Sequence, residues 1–123
     1  MLSVTIDERN GIAVLAPAGA LSKRDFENAT AIVDPYIEKA GGLNGVIIHT
    51  ETFPGWDSFA ALVAHLEFVK EHHKRVSRVA LVTDSPIGSF AQAIANHFVV
   101  AEIRRFPFRE MAQATAWIRG QPD

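Results

Sequence analysis

The chain has 123 residues and a mass of 13.5 kDa, a length that predicts one domain spanning residues 1–123. Hydrophobic residues make up 48% and charged residues 21%, a composition typical of a globular protein rather than a disordered one. The sequence contains no cysteine, which excludes disulfides, thiolate metal sites and cysteine nucleophiles. The net charge of −2 gives no general attraction to nucleic acid, and no signal peptide or long apolar run is found. We therefore expect a cytoplasmic protein with no nucleic-acid partner and no transmembrane segment.

The first two predicted strands form a hairpin. Val4 and Ile6 alternate with polar residues, the period-two pattern of a strand with one buried face. Asn10-Gly11 follows, the favoured pair for a two-residue type I′ turn. Residues 12–16 are then apolar on both faces. These patterns place the first strand at a sheet edge and the second inside the sheet.

A helix is predicted directly after the hairpin. The segment from Ser22 to Asp25 has the form of a helix-start box, in which the serine hydroxyl and the acid satisfy early backbone amides. Apolar residues then recur at helical spacing. Pro35 cannot donate a backbone hydrogen bond, so we expect a break there. Gly41-Gly42 ends the segment.

Strand and helix patterns alternate along the rest of the chain. Buried strands are predicted at 46–48 and 79–82 and an edge strand at 99–105; helices are predicted at 59–75 and 85–98, and a last one from Pro107, with Phe108 on its apolar face, to Gly120. The order β-β-α-β-α-β-α-β-α predicts an α/β fold with a mostly parallel five-stranded sheet and an antiparallel N-terminal hairpin strand. Sequential strand order is the simplest arrangement. The apolar central strands require cover on both faces, by helices or by a second copy in a homodimer.

Several segments resemble a known family. They are F-P-G-W-D at Phe53–Asp57, the basic H-H-K run, the strand end V-A-L-V-T-D, and the closing A-E-I-R-R-F and A-x-A-W-I pieces. In these features nearly the whole chain resembles the bacterial SpoIIAA-like family, also called lipid-binding SpoIIAA-like. That family is a branch of the STAS fold, which it shares with sporulation anti-sigma-factor antagonists. The resemblance implies a SpoIIAA/STAS-like fold and links the chain to lipid binding.

The resemblance also implies a phosphorylation site. In the antagonists, a serine at the start of the helix after the third strand is phosphorylated to switch partners. Asp57 and Ser58 match that motif, whereas Phe59 and Ala60 depart from it. A phosphate on Ser58 would be stabilised by the helix dipole and repelled by Asp57. Serine also caps helices routinely, so both interpretations of Ser58 stay open.

The carboxyl ends of the parallel strands are the predicted binding edge. Phe53 and Trp56 lie in a loop there, and they form either a lid over an apolar ligand or the closed end of the core. As a lid, Trp56 would form a wall beside Phe59 and Phe106.

Two further polar positions support this edge of the sheet. Asp84 ends a strand, and Ser85 begins the next predicted helix. An aspartate in that position is typical of a turn, and a serine there is typical of a helix cap.

The sequence predicts no metal site, no cofactor and no enzymatic activity. The five histidines lack metal-ligand spacing, and the motifs of hydrolases and nucleotide-binding proteins are missing. We therefore predict a non-enzymatic binding module for a small apolar or lipid-like ligand at the C-terminal edge of the sheet. The alternative is an anti-sigma-antagonist-like protein that switches a regulatory protein partner through phosphorylation of Ser58. An enzyme of unknown type ranks lowest.

Overall fold

Five strands and two helices make up the part of the chain that this computed structural model describes, which comprises residues 2–18, 23–51, 76–84 and 102–120. The helices predicted at 59–75 and 85–98 lie outside these residues. The elements are β1 (Leu2–Asp7), β2 (Ile12–Pro17), α1 (Lys23–Ala40), β3 (Leu43–His49), β4 (Val76–Val82), β5 (Glu102–Phe106) and α2 (Met111–Ile118).

The strands form one mixed sheet in the order β1-β2-β3-β4-β5. β1 pairs antiparallel with β2, and the three remaining pairs are parallel. This confirms the predicted α/β class, the antiparallel first strand and the sequential order. The two strands predicted from alternating polar and apolar residues, β1 and β5, lie at the edges of the sheet as expected.

The hairpin loop differs from the prediction. The strands pair as far as Asp7 and Ile12, so the loop contains residues 8–11, and the predicted two-residue turn is wrong. Asp7 causes the longer loop: its carbonyl accepts from the N–H groups of Asn10 (3.3 Å) and Gly11 (2.8 Å). Its carboxylate also accepts from the Asn10 backbone N–H (3.2 Å) and side chain (2.7 Å). Gly11 closes the loop at φ +67°, a conformation that glycine adopts without strain.

Helix α1 runs through Pro35 without a break, so the predicted break is wrong. Proline removes one N–H and leaves the carbonyl of Ala31 without its helical partner. Both residues are exposed, so water can bind that carbonyl. The opposite side of the helix buries Val33 and Ile37 against the sheet, which holds the two halves in line. The helix ends at the predicted position, where Gly41 N–H donates to the Ile37 carbonyl (2.8 Å).

The two helices cover opposite faces of the sheet, as the apolar central strands required. On one face α1 packs on a cluster that includes Leu15, Ile48 and Leu81. On the other face α2 packs on a cluster that includes Ile47 and Phe106. Among the helices of the described segments, neither has the length and apolar character needed to cross a membrane.

The last helix begins later than predicted. Glu110 N–H donates to the Pro107 carbonyl (2.9 Å), and this turn precedes α2. Phe108 therefore lies before the helix rather than on its apolar face, and Gly120 follows the helix as predicted.

Close contact with β3 holds the C-terminal end of α2. A Cβ atom at Gly45 would be 2.5 Å from Ile118 Cγ2, so only glycine fits there without a shift.

Candidate functional site

The carboxyl ends of β3, β4 and β5 meet at one edge of the sheet. We call residues 49–51, 83–84 and 106–108 the carboxyl rim. Thr50 N–H donates to the Val82 carbonyl (3.1 Å), and Thr83 N–H donates to the Phe106 carbonyl (2.9 Å). These bonds continue the parallel pairing beyond the strands, so the first residues of the following loops are held in register.

Glu51 is fixed by two bonds from the neighbouring strand end. Its carbonyl accepts from the Asp84 N–H (3.3 Å) and from the Thr83 hydroxyl (3.3 Å). Thr83 is fully buried, and a buried hydroxyl without a hydrogen-bond partner would cost free energy. The bond to Glu51 therefore also gives this hydroxyl an acceptor. The chain that carries Phe53, Trp56 and Ser58 therefore starts from a fixed point.

The carboxylate of Asp84 links β4 to the segment after β5. Its Oδ1 accepts the backbone N–H of Phe108 at 3.0 Å. The side chain is exposed, so the bond competes with water, but an ionised acceptor strengthens it. Asp84 therefore holds the turn that begins at Pro107, rather than projecting unpartnered from the rim.

A stacked ring pair that sequence reasoning did not predict lies on the rim. His49 and Phe108 have ring centroids 4.4 Å apart with an interplanar angle of 12°. The His49 Nε2 atom also lies 3.3 Å from the Phe108 carbonyl oxygen, to which it donates when it carries the proton. Both residues are half-buried. The sequence places His49 at the end of one predicted strand and Phe108 shortly after the end of another, and this shared edge was the only indication that the two rings could meet.

Phe106 is one of two predicted site residues among those described, and it faces the core under α2. It is 3% exposed, and its ring centroid lies 5.7 Å from that of Trp117 at 53°. The guanidinium of Arg104 lies 4.9 Å from the centre of the Phe106 ring. The role of Phe106 in a ligand pocket stays a prediction.

The other described site residue, Asp84, is joined to Phe106 through Thr83, whose N–H binds the Phe106 carbonyl. The structure thus brings these two positions to neighbouring strand ends. The remaining predicted residues lie outside the described part of the chain: Phe53, Trp56, Asp57, Ser58, Phe59 and Ser85.

The rim and the residues that flank it combine charges of both signs. Glu51 and Asp84 are exposed carboxylates, and Arg105 and Arg109 are exposed on either side of the end of β5. Such a mixed, hydrated surface suits polar contacts with a macromolecule. Within residues 2–18, 23–51, 76–84 and 102–120, no three histidine or acidic side chains come together as a metal site.

Comparison with known proteins identifies the family. Residues 12–119 match the family model described as SpoIIAA-like. The match covers most of the chain, so the chain belongs to this family, as the sequence motifs indicated. Neither a curated protein nor a solved structure matches the chain.

Proposed function

We propose that this member of the SpoIIAA-like family is a non-enzymatic module that binds a protein partner at the carboxyl rim and is switched by phosphorylation of Ser58. The single observation that carries the proposal is the bonded network of Glu51, Thr83 and Asp84, which fixes the start of the segment leading to Ser58. A modification can change partner affinity strongly when its surroundings are held in place beforehand.

The strand order supports binding on a surface rather than in a crevice. In open parallel sheets, ligands usually bind where the strand order reverses, because the chain diverges there and opens a gap. The five described strands follow one another without reversal. The order of the described strands therefore generates no small-molecule crevice, and the exposed carboxylates of Glu51 and Asp84 suit polar contacts with a macromolecular partner.

Two contacts on the rim support a binding role by fixing its surface. The Asp84 carboxylate bonds the Phe108 N–H, and His49 stacks on the Phe108 ring. Both contacts join the rim to the segment after β5, and they hold in place the surface that the proposed partner would meet.

Ser58 variants test the proposal. Partners captured with the wild-type protein from its native cell extract would be identified by mass spectrometry and purified, and their affinity measured by calorimetry. Ser58→Asp should weaken binding by about tenfold or more, whereas Ser58→Ala should retain it. Gln113→Glu adds the same charge at an exposed position of α2 and should leave the affinity unchanged. Equal binding by wild type and Ser58→Asp would contradict the switch.

A small apolar ligand is the second candidate, and the half-buried Phe108 ring on the rim favours it. Titration with a fluorescent fatty acid should then show saturable binding that Trp56→Ala and Phe108→Ala weaken. Ile32→Ala removes an exposed apolar side chain from α1 and serves as the control. No saturable binding, together with no lipid in mass spectra of gently purified protein, would exclude this candidate.

A further inference from the structure

An open cavity of about 290 Å³ lies at the edge of the sheet opposite the carboxyl rim. Its lining residues are Arg9, Asn10, Asn44, Ile118 and Arg119. They come from three separate segments: the hairpin loop, the start of β3 and the end of α2. The cavity is therefore separate from the surface assigned to partner binding.

The hairpin side of the cavity is held by hydrogen bonds to β3. Asn44 N–H donates to the Gly11 carbonyl (2.8 Å), and the Asn44 side-chain amide donates to the Asn10 carbonyl (2.7 Å). The carboxylate of Asp7, the last residue of β1, accepts hydrogen bonds from both the backbone and the side chain of Asn10. Arg9 thus extends from a loop whose backbone is fixed on two sides.

The helix side of the cavity is equally fixed. Ile118 is buried and packs directly over Gly45 of β3, where no larger residue fits. Arg119 follows it, and its N–H donates to the Thr115 carbonyl (3.1 Å). The second arginine therefore also extends from an anchored backbone.

Among the residues that the structure describes, the lining of the cavity includes two arginines and no acidic residue. In the part of the chain that the structure describes, neither Arg9 nor Arg119 forms an ion pair. Two acids lie near Arg9 in the chain: the Asp7 carboxylate at the end of β1 already accepts two bonds from Asn10, and Glu8 in the loop is exposed and forms no ion pair among the described residues. The two arginines therefore keep their donors available for an external anion.

We propose that this cavity binds a small phosphate dianion, either inorganic phosphate or a phosphate monoester. The planar fork of an arginine matches the oxygens of a phosphate, and two such groups balance its charge of about −1.5 to −2. The volume is close to the lower limit of about 300 Å³ for ligand pockets, which suits a compact ligand rather than a lipid chain.

Titration of the full chain with inorganic phosphate, at constant ionic strength, tests the site. Binding would be followed by NMR through the Asn44 side-chain amide and the backbone amides of Gly11 and Gly45. These signals should shift saturably, and Arg9→Gln and Arg119→Gln should each weaken binding about tenfold. Arg24→Gln removes an exposed arginine from the start of α1, and its affinity should equal that of wild type.

Parallel titrations with glycerol phosphate and with succinate separate the ligand classes. Tighter binding of glycerol phosphate than of inorganic phosphate would identify a monoester as the ligand, and the reverse order would identify the free ion. Succinate binding as tight as either would overturn the assignment to phosphate. The site itself is overturned if the shifts do not saturate, if they are spread over basic residues elsewhere, or if Arg24→Gln weakens binding as much as the two cavity variants. The exposed position of the arginines means that these variants should keep the wild-type spectrum elsewhere.

Discussion

Replacing Gly45 with alanine should destabilise the protein by overpacking the contact between β3 and α2. The added Cβ would lie 2.5 Å from Ile118 Cγ2, 2.8 Å from Ile118 Cδ1 and 2.9 Å from the Arg78 carbonyl oxygen. Each distance is shorter than a normal contact, so atoms must move. Ile118 is only 5% exposed, and the Arg78 oxygen belongs to the backbone of β4, so neither moves freely.

Two opposing effects set the size of the loss. Overpacking of a well-packed core typically costs about 1–3 kcal/mol. Alanine also restricts the unfolded chain more than glycine does, which returns about 0.4–1 kcal/mol to the folded state. We therefore expect the free energy of unfolding to fall by roughly 1–2 kcal/mol, measured as a lower midpoint in urea with an unchanged m value.

A double-mutant cycle identifies the cause. Ile118→Ala alone should cost about 2–5 kcal/mol through the cavity it leaves. In that background Gly45→Ala should cost at least about 1 kcal/mol less than in wild type, because the two closest side-chain atoms are gone. Gly41→Ala is the control. Its added Cβ meets open space at φ +87°, so its cost comes from backbone strain and should be the same in both backgrounds. An equal loss from Gly45→Ala in both backgrounds would refute the reasoning.

Three further substitutions test other contacts of the fold. Pro35→Ala should raise the free energy of unfolding by about 1–2 kcal/mol, since it restores a helical hydrogen bond at an exposed position; a less stable variant in urea would contradict the continuous helix. Asp84→Ala should lower the free energy of unfolding by about 0.5–1.5 kcal/mol and speed hydrogen exchange at the Phe108 amide. Asp84→Asn keeps an acceptor oxygen and should lower the free energy of unfolding by less. An unchanged exchange rate would argue against the bond. Glu102→Gln should change the free energy of unfolding by less than about 0.5 kcal/mol, because the Glu102 side chain is 70% exposed and its Oε2 lies 3.9 Å from Arg78 Nε. A loss of stability above about 1 kcal/mol in thermal melts would show a stronger ion pair than this geometry allows.

The sheet was predictable because its signal is repeated along the chain. The alternation at Val4 and Ile6 and the apolar runs at 46–48 and 79–82 each indicate how many faces of a strand are buried. Cover on both faces is most complete at the centre of a sheet, so the pattern predicts the position of each strand in the sheet as well as its existence.

The local predictions that proved wrong share one cause. At Pro35 and in the hairpin loop, residue preferences were outweighed by contacts that those preferences do not encode. Packing of α1 on the sheet supports a helix across proline, and the Asp7 side chain binds Asn10 and lengthens the turn. The late start of α2 has the same origin, since Asp84 in the segment after β4 accepts the Phe108 N–H.

The site was predictable only in outline. Parallel strands place their carboxyl ends at one edge, so the convergence of Asp84 and Phe106 on neighbouring strand ends follows from the strand order. The stacking of His49 on Phe108 depends on the path of the chain after β5, which no periodic pattern encodes. The predictions for Ser58 and Trp56 concern residues outside the described segments, and they stay predictions.

The strand order also bears on how the protein is made. Each strand after β1 in the described sheet pairs with the strand that precedes it in the chain, so during synthesis every new strand can pair with one that has already been made. We expect the hairpin to fold first, because its loop is short and closing a short loop costs the least entropy. The sheet can then lengthen in one direction during synthesis, and no strand has to insert between two that have already joined.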